Sequence, residues 1–417
     1  MPHDRPLDLT LYGATGFTGT LTAEYLARNA PAGCRWAIAG RDDKKLAALR
    51  DRLAAIDPAC AELPIRTADS ADPASLRALA AETRVLITTV GPYLQYGAPL
   101  VAACAEQGTD YLDLAGEPEF VDRMYVAHHA EAAESGARLV HACGFDAIPH
   151  DLGVYATVAR LPRDVPIRVE GVVRAGGTIS GGTFASTLNA VSRLRASRDA
   201  AKARHRDEPR PEGRRIRLND GKPRRDRATG LWLVPLPTID PQIVGRSAAA
   251  LDAYGPEFSY THYAGVRRLP VAVGSAAGLA GLVALAHIPP ARRLLQSRLA
   301  PGEGPNEERR AKAWFVARFT GEGGGERVVT EVRGGDPGYS ETAKMLAESA
   351  LCLAFDDLPE TSGQVTTAVA MGDALIGRLR RNGIGFRHPG EEPDTTEHKA
   401  DGADGAAGPA AASGSDA

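Results

Sequence analysis

Short apolar runs alternate with stretches of helical period through about the first 145 residues. Residues 7–12 (LDLTLY) form an apolar run that stops at glycine, which predicts a first strand. From Gly16 to Asn29 the spacing puts Leu21, Tyr25 and Leu26 on one helical face. A strand is predicted at 36–40, a helix over 43–55, a strand at 64–67 and a helix over 73–81. Residues 85–90 (VLITTV) are continuously apolar and rich in β-branched side chains, as a strand buried on both faces requires. A helix over 98–107, a strand at 110–114, a helix over 119–135 and a strand at 138–142 complete the run. Six strands alternating with helices predict an α/β fold: a doubly wound parallel sheet with right-handed crossovers.

After Asp151 the rhythm lengthens. Strands are predicted at 166–175, 312–320 and 326–333, the last two joined by the glycine-rich turn GEGGG (321–325). Between them the pattern gives a helix over 184–198 and a charged, irregular segment from 199 to 228. This predicts a second, α+β domain over 151–338, an open sheet with helices on one face, following a first domain over 1–150. Helices over 340–355 and 364–381 come next, the second closed by Gly383. The helices within 339–386 are expected to pack back on the first domain. Residues 388–417 lack large apolar side chains and are predicted to be disordered.

Composition narrows the function classes. The 417 residues exceed one ordinary domain, and 43% hydrophobic with 24% charged content is a globular balance. A net charge of −3 gives no overall basic field for nucleic acid. The five cysteines (34, 60, 104, 143 and 352) form no CxxC pair, so neither a disulfide framework nor a metal site is expected. The chain enters its first strand without the charged and apolar regions of a signal peptide, which predicts a cytoplasmic location.

Residues 269–291 contain no Asp, Glu, Lys or Arg, and Gly274 with Gly278 forms a GxxxG pair. Proline near both ends and abundant Ala and Gly favour a buried or membrane-surface helix over a spanning one. Peripheral contact with the inner face of the membrane follows as an expectation. Residues 199–228 carry eleven Lys/Arg against six Asp/Glu, read as a solvated connector, with anionic lipid or an acidic carrier protein as the alternative partner.

The candidate chemistry starts at GATGFTG (Gly13, Ala14, Thr15, Gly16, Phe17, Thr18, Gly19), between the first strand and the first helix. Glycines there let the chain turn tightly and approach a pyrophosphate, while the helix N-terminus supplies N–H donors and a positive dipole end. With the alternating strands, this marks the first domain as Rossmann-like. An NAD site ends the second strand with an acidic residue for the ribose 2′-OH. This strand ends AIAGRDD, putting Arg41 there with Lys44 and Lys45 nearby, which favours a 2′-phosphate and hence NADPH over NADH. Asp42 remains available to a ribose on the opposite reading.

Three further segments fall at carboxyl ends of strands, where open α/β sheets collect their chemistry. TTVGPYLQYG (88–97) would pass Val90, Gly91 and Pro92 under the nicotinamide ribose. YLDLAGE (111–117) holds Asp113 and Glu117, and CGFDAIPHDLG (143–153) packs Asp146, His150 and Asp151 into one loop. GATGFTG, TTVGPY, YxDxxGE and GFDxIPxDLG, in this order, resemble the saccharopine dehydrogenase-like oxidoreductases. Residues 336–354 and 368–386 are similar to the C-terminal helices of the trans-acting enoyl reductase branch. The resemblance departs at His150, where the family pattern carries a small hydroxyl residue.

What the resemblance implies is NAD(P)H-dependent reduction, in that branch of a lipid-type or polyketide enoyl chain, possible on a carrier protein. Hydride would reach the β-carbon and an acid would protonate the α-carbon. Tyr93, Tyr111 and His150 are the candidate acids, each with a plain packing role as its alternative. Asp113, Glu117 and Asp146 are candidates for positioning substrate or water. A homo-oligomer is the expected state. Competing readings are an amino-acid dehydrogenase of saccharopine or semialdehyde type, in which Cys143 with His150 would act as a thiol nucleophile, and a non-catalytic NADP-binding regulator or docking protein.

Overall fold

The computed structural model describes residues 5–176, 193–209, 211–227, 229–270 and 304–389, together with Gly274, Gly278 and Gly281. Its first half contains β1 (Leu7–Tyr12), α1 (Phe17–Asn29), β2 (Trp36–Gly40), α2 (Asp43–Ala54), β3 (Ile65–Thr67), α3 (Pro73–Ala81), β4 (Thr83–Thr88), α4 (Ala98–Gln107), β5 (Asp110–Leu112), α5 (Pro118–Ser135), β6 (Arg138–Val140) and α6 (Ile148–Val158). Then come β7 (Ile167–Gly176), α7 (Leu194–Asp207), β8 (Arg215–Asn219), β9 (Arg224–Arg225), β10 (Trp232–Pro235), α8 (Asp240–Ala250) and β11 (Glu257–Val266). The last part adds β12 (Trp314–Gly323), β13 (Glu326–Gly334), α9 (Ser340–Phe355), β14 (Gly363–Val365), α10 (Gly372–Arg381) and β15 (Gly385–Arg387).

Local chemistry sets the ends of the first helices. Asp42 accepts from the Lys44 and Lys45 backbones to cap α2, and Asp72 accepts from Ala74 to cap α3. Left-handed Gly108 and Gly136 close α4 and α5. The strands form a seven-stranded sheet of order β14-β6-β5-β4-β1-β2-β3, parallel throughout. Every residue of β1 and β2 is buried, which accounts for their continuous apolar reading. The strand order reverses beside β1, so the crevice that a ligand would use opens between β1 and β4.

The seventh strand corrects the predicted helix over 364–381. Residues 363–365 instead pair with β6, Gly363 opposite Arg138 and Val365 opposite Val140. Gly363 has φ of +81° and Thr366 caps a short helix over Thr367–Ala370, so regular helix resumes only at Gly372.

β7 to β13 and β15 build a second, mixed sheet of order β15-β13-β12-β7-β11-β10-β9, with β8 also pairing β11. The period of two is plain in β12, where Phe315, Ala317 and Phe319 are buried and Val316, Arg318 and Thr320 between them are half-buried. The buried face packs on α6, which follows β6 directly, so the two sheets share one core. α9 packs on α1 and β4 of the first sheet.

Residues 199–228 are not the irregular connector expected, since they contain most of α7 and all of β8 and β9. Among the described residues, four of their eleven cations, Arg204, Arg214, Arg217 and Arg224, are engaged within the fold. Arg204 pairs with Asp122 and Glu208, and Arg224 with Glu170. Arg214 donates to the Ala248 and Leu251 carbonyls at the end of α8, both at 2.6 Å. Most of the predicted helix over 184–198, nearly all of the apolar segment 269–291 and nearly all of the tail lie outside the described residues. Among the described residues no helix is long and apolar enough to cross a membrane.

Candidate active site

The glycine loop lies at the mouth of the crevice. Gly13 has φ of +85°, and a Cβ built on it would meet Val90 Cγ2 at 2.6 Å. The Gly13 N–H donates to Ala39 of β2 and its carbonyl accepts from the Thr89 hydroxyl, tying the loop to both neighbouring strands. Gly19 lets α1 rest on the turn: a Cβ there would stand 2.2 Å from the Gly13 carbonyl oxygen. Gly16 is the exposed N-cap of α1, with no side-chain cap. Helix geometry leaves the first N–H groups of α1, those of Phe17 and Thr18, without carbonyl partners in the helix. An anion is therefore the natural complement to this end.

The other loop residues divide by role. Ala14 is buried and Thr15 exposed. The ring of Phe17 meets Tyr339 edge-on at 4.8 Å and lies under Arg310, which fastens the loop to the segment before α9. Val90, Gly91 and Pro92 follow β4 beside Gly13, with a cis bond between Gly91 and Pro92. Arg41 is exposed at the end of β2 with no carboxylate paired to it among the described residues. Asp42 Oδ1 accepts from the Lys44 and Lys45 backbones.

Asp113, placed at the end of β5, is wholly buried and receives four donors. Oδ2 accepts from the Tyr111 hydroxyl at 2.9 Å and faces His141 Nδ1 at 2.7 Å. Oδ1 accepts from the Ala115 and Ala142 backbones, both at 2.9 Å. The carboxylate clasps the ends of β5 and β6, including Ala142 at φ +60°. Tyr93 is equally committed: its hydroxyl donates to the Thr88 carbonyl and accepts from Leu114 N–H, while its own N–H donates to Glu117. Burial, with Asp113 next, pushes both phenols well above their usual range. Both hydroxyls are engaged with partners inside the crevice wall. Glu117 likewise serves as the buried N-cap residue of α5.

Cys143 is buried, its thiol donates to the Val140 carbonyl, and burial raises it well above the usual thiol range. Burial disfavours the thiolate form there.

Past this wall the loop 143–147 leads into α6, and the chain brings together groups far apart in sequence. His150 on α6 stacks edge-on against His262 of β11, ring centroids 4.7 Å apart, with Phe145 and Phe319 around it. His262 Nδ1 lies 2.7 Å from Asp240 Oδ2, at the start of α8. Asp240 also accepts from the Thr238 and Tyr260 hydroxyls. His150, Asp240 and His262 offer one ligand atom each within 4.8 Å of one another. Among the described residues, Nε2 of His262 is buried without a hydrogen-bond partner, and His150 has only the Phe145 backbone beside its ring nitrogens. Burial pushes His150 down to about 4, against the pull of Asp240, so it is neutral near pH 7. Burial alone would raise Asp240, but His262, His150 and the Thr238 hydroxyl more than offset it and leave the carboxyl below its ordinary value.

Asp146 lies in the same region, half-buried, and is pushed up to about 6 by burial first and Asp240 second. Its side-chain carboxyl resonance is expected to titrate near pH 6, and Asp240→Asn should lower that midpoint. A midpoint near 4 in the native protein would contradict this placement. Because the folded value exceeds the unfolded one, the folded state binds more protons between about pH 4 and 6. Stability from this group therefore falls as pH rises through that window.

Sequence reading passed over Asp240 and His262. Asp240 stands before a proline in TIDP, which reads as an ordinary helix start. The available signal was in FSYTH: Phe258, Tyr260 and His262 share one strand face, so the histidine falls at a core position. A separate concavity lined by Arg168, Glu170, Arg224, Arg318 and Glu322 is on the polar face of the second sheet, crossed by the Arg224–Glu170 pair, and holds none of these groups.

Residues 9–140 match the saccharopine dehydrogenase NADP-binding domain. A Mycobacterium tuberculosis protein with the provisional name trans-acting enoyl reductase is 40% identical over 415 residues, covering 92% of this chain and 97% of its own. The trans-acting enoyl reductase of Mycobacterium ulcerans is 35% identical over 413 residues, covering 91% of this chain and 97% of its own. Among solved structures, apo saccharopine dehydrogenase (L-Glu forming) from Saccharomyces cerevisiae shares the fold. Its TM-score is 0.52 at 12% identity, over 92% of this chain and 99% of that one.

Proposed function

The chain belongs to the saccharopine dehydrogenase-like family, in its trans-acting enoyl reductase branch, and from that premise we propose an NADP-dependent oxidoreductase that reduces the carbon–carbon double bond of an acyl chain. The observation that carries the coenzyme half is the glycine loop at the β1–β4 crevice, whose close approaches at Gly13 and Gly19 leave the N-terminus of α1 open. Those N–H groups and Gly16 would hold the pyrophosphate, Arg41 the 2′-phosphate, and Val90 to Pro92 would line the nicotinamide ribose. When bound, NADPH supplies hydride.

The chain's own residues do the rest. The clasp of Asp113, Tyr111 and Tyr93 fixes the ends of β4 to β6, on which the crevice depends. The rings of Phe145, Phe315 and Phe319 beside His150 would give an acyl chain apolar surroundings, which suit it better than they suit an amino acid. The relatives are named enoyl reductases, which supports an enoyl chain as substrate; we take it to be activated as a thioester on a carrier protein or coenzyme A.

Calorimetric titration with NADPH and NADH tests the reading. NADPH is expected to bind at least tenfold more tightly, about 1.4 kcal/mol, and Arg41→Ala should erase that preference while sparing NADH. Equal affinity in the native chain would remove the role of Arg41. No binding of either would sink the oxidoreductase.

A further inference from the structure

Resting on that reading, we propose that His262, oriented by Asp240, donates from Nε2 the proton that completes the reduction, and that the neighbouring His150 binds the substrate's thioester oxygen. The argument begins with hydrogen-bond accounting. A buried imidazole nitrogen without a partner is costly, and among the described residues His262 Nε2 is one, with the His150 ring packed against its own. Meanwhile the Asp240 carboxylate is over-determined, receiving His262 Nδ1 and the hydroxyls of Thr238 and Tyr260. Its position in the first turn of α8 adds the positive end of a helix. Such a carboxylate fixes the ring tautomer with hydrogen on Nδ1, and it stabilises the imidazolium when Nε2 is protonated. Nε2 is then the one His262 atom left to act.

The placement fits the reaction. His150 sits on the helix that continues from the 143–147 loop, at the carboxyl edge of β6, and Phe145 of that loop touches its ring. His262 approaches the same point from the second sheet. The cluster thus lies between the edge that carries the coenzyme loop and the sheet that supplies the apolar wall. When hydride adds to the β-carbon, the π pair of the double bond moves to the α-carbon and, by resonance, to the thioester oxygen. The His262 Nε2–H proton then bonds to the α-carbon. The product is the saturated thioester with NADP⁺, the ring is left neutral, and a solvent proton restores it. The neighbouring neutral His150 donates one ring N–H to the oxygen on which charge develops.

The test uses the full chain with ¹⁵N-labelled histidine, the ten resonance sets being assigned with His262→Gln and His150→Ser. Butyryl-N-acetylcysteamine with NADP⁺ serves as the product probe, and NADPH oxidation with the crotonyl thioester as turnover. The expected result is a clear shift of His262 Nε2 on adding the probe. His262→Gln should lower kcat at least 100-fold, with KM and NADPH affinity within about threefold of native. Asp240→Asn should lower kcat less and scramble the His262 tautomer signature. An unmoved Nε2 resonance, or a His262→Gln variant with native kcat, overturns the assignment while leaving the reductase in place. One tightly held zinc per chain, lost in His262→Gln, also overturns it in favour of a metal centre. A chain that binds NADPH but reduces no enoyl thioester removes the underlying reading, and the ring shift then still decides whether these histidines form a carbonyl site.

Discussion

Gly19→Ala is expected to weaken NADPH binding at least 100-fold, about 2.7 kcal/mol, and to do so from a position that no ligand need touch. The added methyl would stand 2.2 Å from the Gly13 carbonyl oxygen and 3.0 Å from the Ala14 carbonyl carbon. Both neighbours are backbone, so α1 itself must lift from the turn. That lift moves the N–H groups that would meet the pyrophosphate. The overpacking should also cost roughly 1–3 kcal/mol of stability. Gly16→Ala is the informative companion. Its methyl would meet only the Gly13 oxygen, at 3.4 Å, so the free protein should melt near the native temperature. A loss of NADPH affinity there reports the close approach of the ligand alone. Calorimetry and thermal unfolding on both variants separate the two effects. Native affinity in Gly19→Ala would mean that the coenzyme lies elsewhere.

The second large effect is on stability. Asp113→Ala is expected to cost about 3–5 kcal/mol, because it strands the Tyr111 hydroxyl, His141 Nδ1 and two backbone N–H groups in a buried place. Asp113→Asn should cost less, since an amide oxygen still accepts from the backbone pair. The urea unfolding midpoint measures both. A loss under about 1 kcal/mol would show that the clasp is not what holds β5 to β6. A stable Asp113→Ala protein lacking activity would return the residue to the chemistry.

Much of the first sheet was legible because its information is local. A strand buried on both faces must be apolar throughout, and a helix beside it must be apolar on one stripe, so LDLTLY and the stretch after Gly16 announce themselves. β14 was not legible. Three residues carry too little pattern, and only pairing with β6 makes Gly363–Val365 a strand. The charged stretch 199–228 misled for a related reason. Lysines and arginines resemble solvent-facing residues until a partner such as Asp122 or Glu170 arrives from elsewhere in the chain.

The candidate site divides along the same line. Gly13, Gly16, Gly19 and Arg41 lie within 29 residues, and their meaning depends on a turn, a helix start and a strand end, all local in sequence. The sequence by itself therefore determined the fold class, the glycine loop between β1 and α1 and the family. Tyr93, Tyr111 and Asp113 were visible as polar groups at strand ends. Only packing decided that Tyr111 and Asp113 are paired with each other and the Tyr93 hydroxyl with Thr88 and Leu114, because partner counts depend on three-dimensional distance. His150, Asp240 and His262 met only through the packing of α6 on a second sheet and the start of α8 beside it. A side chain's role in chemistry is set by what remains unpaired once the chain has folded, and that remainder belongs to the tertiary structure.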